Sequence, residues 1–252
     1  RKAPQTMMRL GWLIERMLMP ASLRRANVVL VPSRSTADDI ADEFPDCAPK
    51  VRITPLASTL RRPPAGGTSH TPSRAYMLFV GTLEPRKNLC AIIDAFLEVT
   101  RGGQATHDLV IAGGSGWKNR DILGRLRDPH TARRAFYVGT PSDDCLMRLY
   151  EGADFVVAPS VYEGFGLQIA EALEFGKPVI TSNLSSMPEV AGDAGILVDP
   201  RSVSEIADAM TRLMTDREEH STLQARALAR SKHFSWTQSA AATLAALERA
   251  AA

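Results

Sequence analysis

Short apolar runs of three to six residues recur along the chain, most of them followed by a turn and then by a longer stretch with apolar residues at three- and four-residue spacing. Apolar runs that short, without polar alternation, read as strands buried on both faces, and the periodic stretches read as amphipathic helices. The pattern predicts an amphipathic helix over 7–19, a strand over 26–31, a helix over 35–44 and a strand over 50–54. From residue 76 onward it predicts strands at 76–80, 109–112, 136–138, 155–158, 179–181 and 195–198. Helices are expected at 88–100, 118–127, 142–151, 167–175 and 203–214, and two more at 217–231 and 237–250 close the chain. Strands alternating with helices imply an α/β fold with a doubly wound parallel sheet. Ligands of such sheets bind outside the carboxyl ends of the strands, so each turn that follows a strand is a candidate for chemistry.

The pattern is interrupted once, over residues 58–73, where Pro, Gly, Ser and Thr dominate and Arg61-Arg62-Pro63-Pro64 and Gly66-Gly67 occur. That composition predicts a linker. Residues 1–57 then form a βαβ remnant of one domain, residues 74–232 a second domain, and residues 233–252 a final helix. The opening helix places Leu10, Leu13 or Ile14, Met17 and Leu18 on one stripe with Trp12 beside it, between Arg1, Lys2, Arg9 and Arg24, Arg25. A core helix is the expectation, and an interfacial helix touching anionic lipid is the alternative. No apolar run approaches the length needed to cross a bilayer.

Composition adds exclusions. With 252 residues and 44% hydrophobic content the chain can pack a core, and 30 basic against 28 acidic residues give no reason to expect a nucleic-acid partner. Cys47, Cys90 and Cys145 are odd in number and far apart, which predicts free, buried thiols in a reducing compartment and a cytoplasmic location. The five histidines are equally scattered, so no metal site is expected.

The richest candidate is the string from Pro159 to Leu173, Pro-Ser-Val-Tyr-Glu-Gly-Phe-Gly-Leu-Gln-Ile-Ala-Glu-Ala-Leu, a glycine-flanked turn between a strand and a helix. The free N–H groups of Gly164, Phe165, Gly166 and Leu167 at such a helix start suit an anion, and the glycines admit close approach. Glu163 and Glu171 flank the turn, and beside an anion site carboxylates are suited to accepting hydrogen bonds from hydroxyls. After the strand at 76–80 comes Gly81-Thr82-Leu83-Glu84-Pro85-Arg86-Lys87-Asn88, with two cations just before an Asn able to cap the next helix. Positive charge opposes the dipole at a helix start, so Arg86 and Lys87 point to a phosphate ligand. Gly113-Gly114-Ser115-Gly116 follows the next strand, and Val138-Gly139-Thr140-Pro141 leads toward Leu146.

These strings resemble those of the retaining glycosyltransferases of family four, which have the GT-B fold of two facing Rossmann-like domains. The resemblance runs from about Val28 to the C-terminus. It implies that Glu163 contacts the transferred sugar, that Glu171 takes the ribose hydroxyls, and that Lys87 with Gly81 and Thr82 forms a diphosphate loop. Relatives often carry arginine at Thr82, and Arg86 is expected to replace it. Gly114 lies beside the donor, and Thr140 and Leu146 pack around the base. Gln168 stands where relatives often have proline, a change expected to leave the chemistry untouched. The implied activity is transfer of a hexosyl group, leaning to mannosyl from GDP-mannose, onto a glycan or lipid-linked acceptor, with retention and without metal or cofactor. Synthesis of a bacterial surface polysaccharide or lipid-linked glycan is implied, with peripheral contact on the inner face of the plasma membrane as a possible accompaniment. The acceptor wall would lie on an N-terminal domain of which only the remnant is present, so this chain alone is expected to bind donor without transferring it. A nucleotide-sugar 2-epimerase of the same fold and a non-catalytic sugar-nucleotide binding module are the alternatives.

Overall fold

The computed structural model describes residues 9–60, 74–103 and 106–251, with side chains from residue 12 onward in the first helix. The linker from 61 to 73, the basic residues Arg1 and Lys2 and the side chain of Arg9 therefore lie outside the description. In chain order the first unit comprises α1 (Arg9–Arg25), β1 (Val29–Val31), α2 (Arg34–Glu43), a 3-10 turn (Pro45–Lys50) and β2 (Val51–Ile53). The second unit begins with β3 (Tyr76–Val80), α3 (Leu89–Arg101), β4 (Asp108–Ala112), α4 (Arg120–Arg127), α5 (Pro129–Ala132) and β5 (Ala135–Gly139). It continues with α6 (Asp143–Gly152), β6 (Phe155–Ala158), α7 (Leu167–Glu174), β7 (Val179–Ser182), α8 (Met187–Ala191) and β8 (Gly195–Val198). Three helices close it: α9 (Val203–Thr215), α10 (Arg217–Ser231) and α11 (Trp236–Ala251).

The second unit is a six-stranded parallel sheet in the order β5-β4-β3-β6-β7-β8. The strand order reverses between β3 and β6, which makes the crevice above their carboxyl ends the topological switch point. Alternate residues of each strand enter opposite cores. Met77, Phe79, Leu109, Ile111, Phe155 and Val157 pack with α3 and α9 on one face. Tyr76, Leu78, Val110, Val156 and Ala158 pack with α6 and α7 on the other. Burying both faces is what a parallel sheet requires, and it explains why the strands read as unbroken apolar runs.

The first unit is a parallel pair, β1 with β2, crossed by α2. Ser58 and Leu60 are buried after it, Leu60 within the second unit's core, and Trp236 Nε1 donates to Ser58 O at 3.2 Å. The final helix reaches back to the first unit, where Ala246, Arg249 and Ala250 share a cavity of about 310 Å³ with Asn27, Val28, Lys50 and Arg52.

Two expectations are corrected. The opening helix is not a core helix in these surroundings: Leu13, Ile14, Met17 and Leu18 are exposed, Met17 at 68%. Amphipathic spacing states that a face is apolar and not what covers it. Of the three free thiols only Cys47 is buried, while Cys145 sits exposed on the first turn of α6. No described helix is long and apolar enough to cross a membrane.

Candidate active site

The turn between β6 and α7 is held by three hydroxyls from two other segments. Ser186 Oγ lies 2.9 Å from both Glu163 O and Phe165 O. Gly164 O accepts from Ser33 Oγ at 2.6 Å and from Thr36 Oγ1 at 3.0 Å, both on the first unit. With three successive carbonyls occupied on that side, the N–H groups of Gly164, Phe165, Gly166, Leu167 and Gln168 have no protein acceptor among the described residues. Gly166 makes the turn possible by taking φ 99°, a left-handed conformation, at the cap of α7. The result is a run of unpaired donors at a helix start, suited to an anion. The Phe165 side chain points away from it and packs edge-on against Phe234 at 5.6 Å, so Phe165 serves the site through its backbone.

Beside this turn the two cations converge on Glu163. Lys87 Nζ donates to Glu163 Oε1 at 2.7 Å and Arg86 Nη1 to Oε2 at 2.5 Å, and Ser160 Oγ adds a donor to Oε1 at 2.9 Å. Burial on its own would raise the Glu163 pKa, but Lys87 and then Arg86 outweigh it and hold the carboxyl below its ordinary range. Arg86 also pairs with buried Glu84 at 2.6 Å and donates to Tyr162 O, so its fork is fixed from two sides. Arg86 keeps 29% of its side chain exposed and Lys87 12%, enough for each to meet a ligand at the rim.

Glu171 lies in a different environment one helical stretch further on. Its Oε2 accepts from the fully buried Tyr150 hydroxyl at 2.7 Å. Burial raises its pKa, against the lowering effect of the Tyr150 hydrogen bond and of Lys87. The phenol in turn is pushed well above its normal value, first by burial and then by Glu171, so it remains a donor.

The glycine turns after β3 and β4 lie face to face. A Cβ on Gly113 would fall 2.0 Å from Gly81 O, so no side chain fits there, and Gly113 rather than Gly114 carries the tightest constraint. A Cβ on Gly114 would stand 3.2 Å from Thr140 Oγ1, which places exposed Thr140 directly over that loop. Thr82 packs against Gly116, and partly buried Leu146 lines the second core below Thr140. Asn88 does not cap α3 with its side chain as expected. It takes a left-handed conformation, φ 61°, and its Nδ2 ties Pro159 O at 3.0 Å to Pro200 O at 2.7 Å, stitching the loops after β6 and β8 together.

Residues 74–216 match the family model described as glycosyl transferases group 1. The chain belongs to this glycosyltransferase family. It is 34% identical over 224 residues to O-antigen chain mannosyltransferase B of Escherichia coli, an alignment covering 85% of this chain and 58% of that protein. The chain thus spans a little over half the length of that relative. Among solved structures, sucrose-phosphate synthase from Thermosynechococcus elongatus superposes with a TM-score of 0.82 at 24% identity, over 98% of this chain and 64% of that one. Anabaena HepE in complex with UDP and glucose gives 0.78 at 18% identity, over 98% and 69%. Both likenesses establish the GT-B fold.

Within this glycosyltransferase domain, Lys87, Arg86 and Glu163 form one bonded cluster with the Gly164–Leu167 turn, and Gly81, Thr82, Gly114 and Thr140 stand along the same rim. Two expectations about the carboxylates and their neighbours change. Glu163 is not a free acceptor facing solvent but is saturated by four donors. Gln168 is not a bystander: its Nε2 lies 3.2 Å from Glu163 Oε1 and its Oε1 3.4 Å from Lys87 Nζ. Sequence reasoning also missed Glu84 and Ser160, and it placed Tyr150 only in the segment around the base, not on Glu171. For Tyr150 a signal existed, since a tyrosine so deep in an apolar helix face requires a partner for its hydroxyl.

Proposed function

We propose that the chain is the donor-binding half of a retaining glycosyltransferase that takes a mannosyl group from GDP-mannose and delivers it to a hydroxyl of a glycan or lipid-linked acceptor. The observation that carries this reading is the convergence, at the switch point of the sheet, of two cations and a buried carboxylate on a turn whose five N–H groups have no protein acceptor among the described residues. A nucleoside diphosphate leaves with growing negative charge, and Lys87, Arg86 and the amides of Gly164 to Leu167 are positioned to meet it. A helix terminus contributes roughly 0.3–2 kcal/mol, whereas a preorganised donor in a water-poor site contributes about 2.7–4 kcal/mol. The two side-chain cations therefore carry most of the stabilisation. Glu163 meets the transferred sugar with the acceptor position that Lys87 vacates on turning to the diphosphate, Glu171 accepts from the ribose hydroxyls, and Thr140 and Leu146 flank the base. The charge stabilisation in this scheme is supplied by side chains and amides, with no metal or cofactor assigned to it.

Mannosyl transfer in polysaccharide synthesis is supported by the named mannosyltransferase at 34% identity. The acceptor wall belongs to the N-terminal domain, of which α2 and its neighbours are the part that braces the Gly164 turn. Calorimetry of the chain against GDP-mannose, GDP, UDP-glucose and UDP tests the donor. The reading expects GDP-mannose and GDP to bind most tightly, and preference for the uridine ligands would overturn the choice of base.

A further inference from the structure

Gln168 is the second residue of α7, and its buried amide touches both charged partners of the cluster. A carboxylate only accepts hydrogen bonds and an ammonium only donates them, so a neutral amide is suited to satisfying both at once. Its NH₂ lies 3.2 Å from Glu163 Oε1 and its carbonyl oxygen 3.4 Å from Lys87 Nζ, closing a triangle with the 2.7 Å Lys87–Glu163 contact. The remaining groups on Glu163 are Arg86 and Ser160, with Ser185 Oγ accepting from its backbone N–H at 3.0 Å. Glu84 reaches the cluster only through Arg86.

Resting on the transferase reading above, we propose that Gln168 is a positioning residue for the transfer step, holding Glu163 in place while Lys87 turns toward the diphosphate. Lys87 has to serve two anions, the carboxylate and the departing phosphate. When its ammonium swings to phosphate, Oε1 of Glu163 loses its strongest donor. Ser160 and the Gln168 amide then keep the carboxylate oriented, and the amide oxygen keeps the ammonium tethered near the cluster. A side chain that merely filled the space would do neither.

Three substitutions in the intact enzyme separate these roles. Gln168→Met keeps the volume and removes the amide. Gln168→Pro removes it too, and the helix start tolerates proline because the Gln168 N–H has no protein acceptor. Both are expected to lower kcat with GDP-mannose about 10- to 100-fold, with donor KM changed less than about threefold. Gln168→Glu sets a second carboxylate against Glu163, so its activity is expected to recover as pH falls and the new carboxyl becomes able to donate. A carbon-13 titration of the Glu163 carboxyl, assigned by loss of its signal in Glu163→Gln, reads the same contact without donor. Its midpoint is expected to rise in Gln168→Met. Wild-type kcat in both apolar variants, or an unmoved Glu163 midpoint, would overturn the proposal. Failure of the wild type to bind any of GDP, GDP-mannose, UDP and UDP-glucose would overturn the donor-binding reading instead, and the titration would still decide the role of the amide.

Discussion

Each rim of the parallel sheet carries a carboxylate ringed by donors, and only one of them has the makings of a binding site. At the carboxyl rim Glu163 is surrounded by Lys87, Arg86, Ser160 and Gln168. At the amino rim Asp154, just before β6, meets His107 Nε2 at 2.7 Å, Arg217 Nη1 at 3.2 Å and His220 Nε2 at 3.3 Å. In both, burial alone would raise the pKa and the surrounding donors bring it below the ordinary value, His107 first at Asp154 and Lys87 first at Glu163. The difference is in the backbone. Asp154 N donates to Tyr76 O and its carbonyl meets His220, so the backbone beside that carboxylate is paired. At the carboxyl rim the turn from Gly164 to Gln168 leaves five N–H groups with no protein acceptor among the described residues. A charged cluster becomes a ligand site where the chain also presents unsatisfied donors, and in a parallel sheet that is the end where strands hand over to helices.

The sharpest way to break this comparison is to remove one charged partner from the cluster at each rim. In the full-length enzyme, Lys87→Ala is expected to lower kcat/KM for donor about 10²- to 10³-fold, since it removes charge stabilisation in the transition state. Asp154→Asn is expected to leave transfer within about twofold while lowering unfolding free energy by about 1–3 kcal/mol, read from a urea transition. A loss of transfer in the second variant with intact stability would mean that the amino rim takes part in function. Smaller again is Glu171→Gln, which keeps an acceptor for the ribose. It is expected chiefly to raise donor KM, by about tenfold or less, with kcat little changed.

The pH dependence sharpens the contrast with the smallest expected effect. Glu163 and Asp154 have lowered folded pKa values, so the stability they contribute is present above the unfolded carboxylate value of about 4 and is lost as pH falls through the folded values. Glu171 runs the other way. Its pKa is raised by burial, so its contribution is present below the unfolded value and is lost as pH rises through the raised one. Urea midpoints measured across that range should fall toward acid less steeply in Asp154→Asn than in wild type. In Glu171→Gln the loss on the rising side should disappear.

Much of this was legible from residue order alone. Strands such as Tyr76–Val80 and Phe155–Ala158 announce themselves because burial on both faces leaves no polar position, and their following turns announce themselves by glycine. What was not legible depends on contacts between distant residues. Ser33 holds Gly164 across 131 positions and Tyr150 holds Glu171 across 21, and no local period encodes either. Gln168 reads as an ordinary helix residue until the fold brings Lys87 to it from 81 positions away. The short piece Pro129–Ala132 was missed because four residues are too few to show a helical period, whereas the helix start at Met187–Ala191 is legible from a cap followed by proline. The exposed stripe of α1 shows the converse, a clear period whose covering surface the pattern does not name.

The central claim, that the carboxyl rim between β3 and β6 is the nucleoside diphosphate site, is tested most directly by mapping backbone amide shifts of the chain as GDP is added. The account predicts saturable shifts concentrated at Gly81–Asn88, Gly113–Gly116 and Gly164–Glu171, with His107, Asp154 and His220 unmoved. Saturable shifts centred on the amino rim, or none along the Gly164–Leu167 turn, would contradict it.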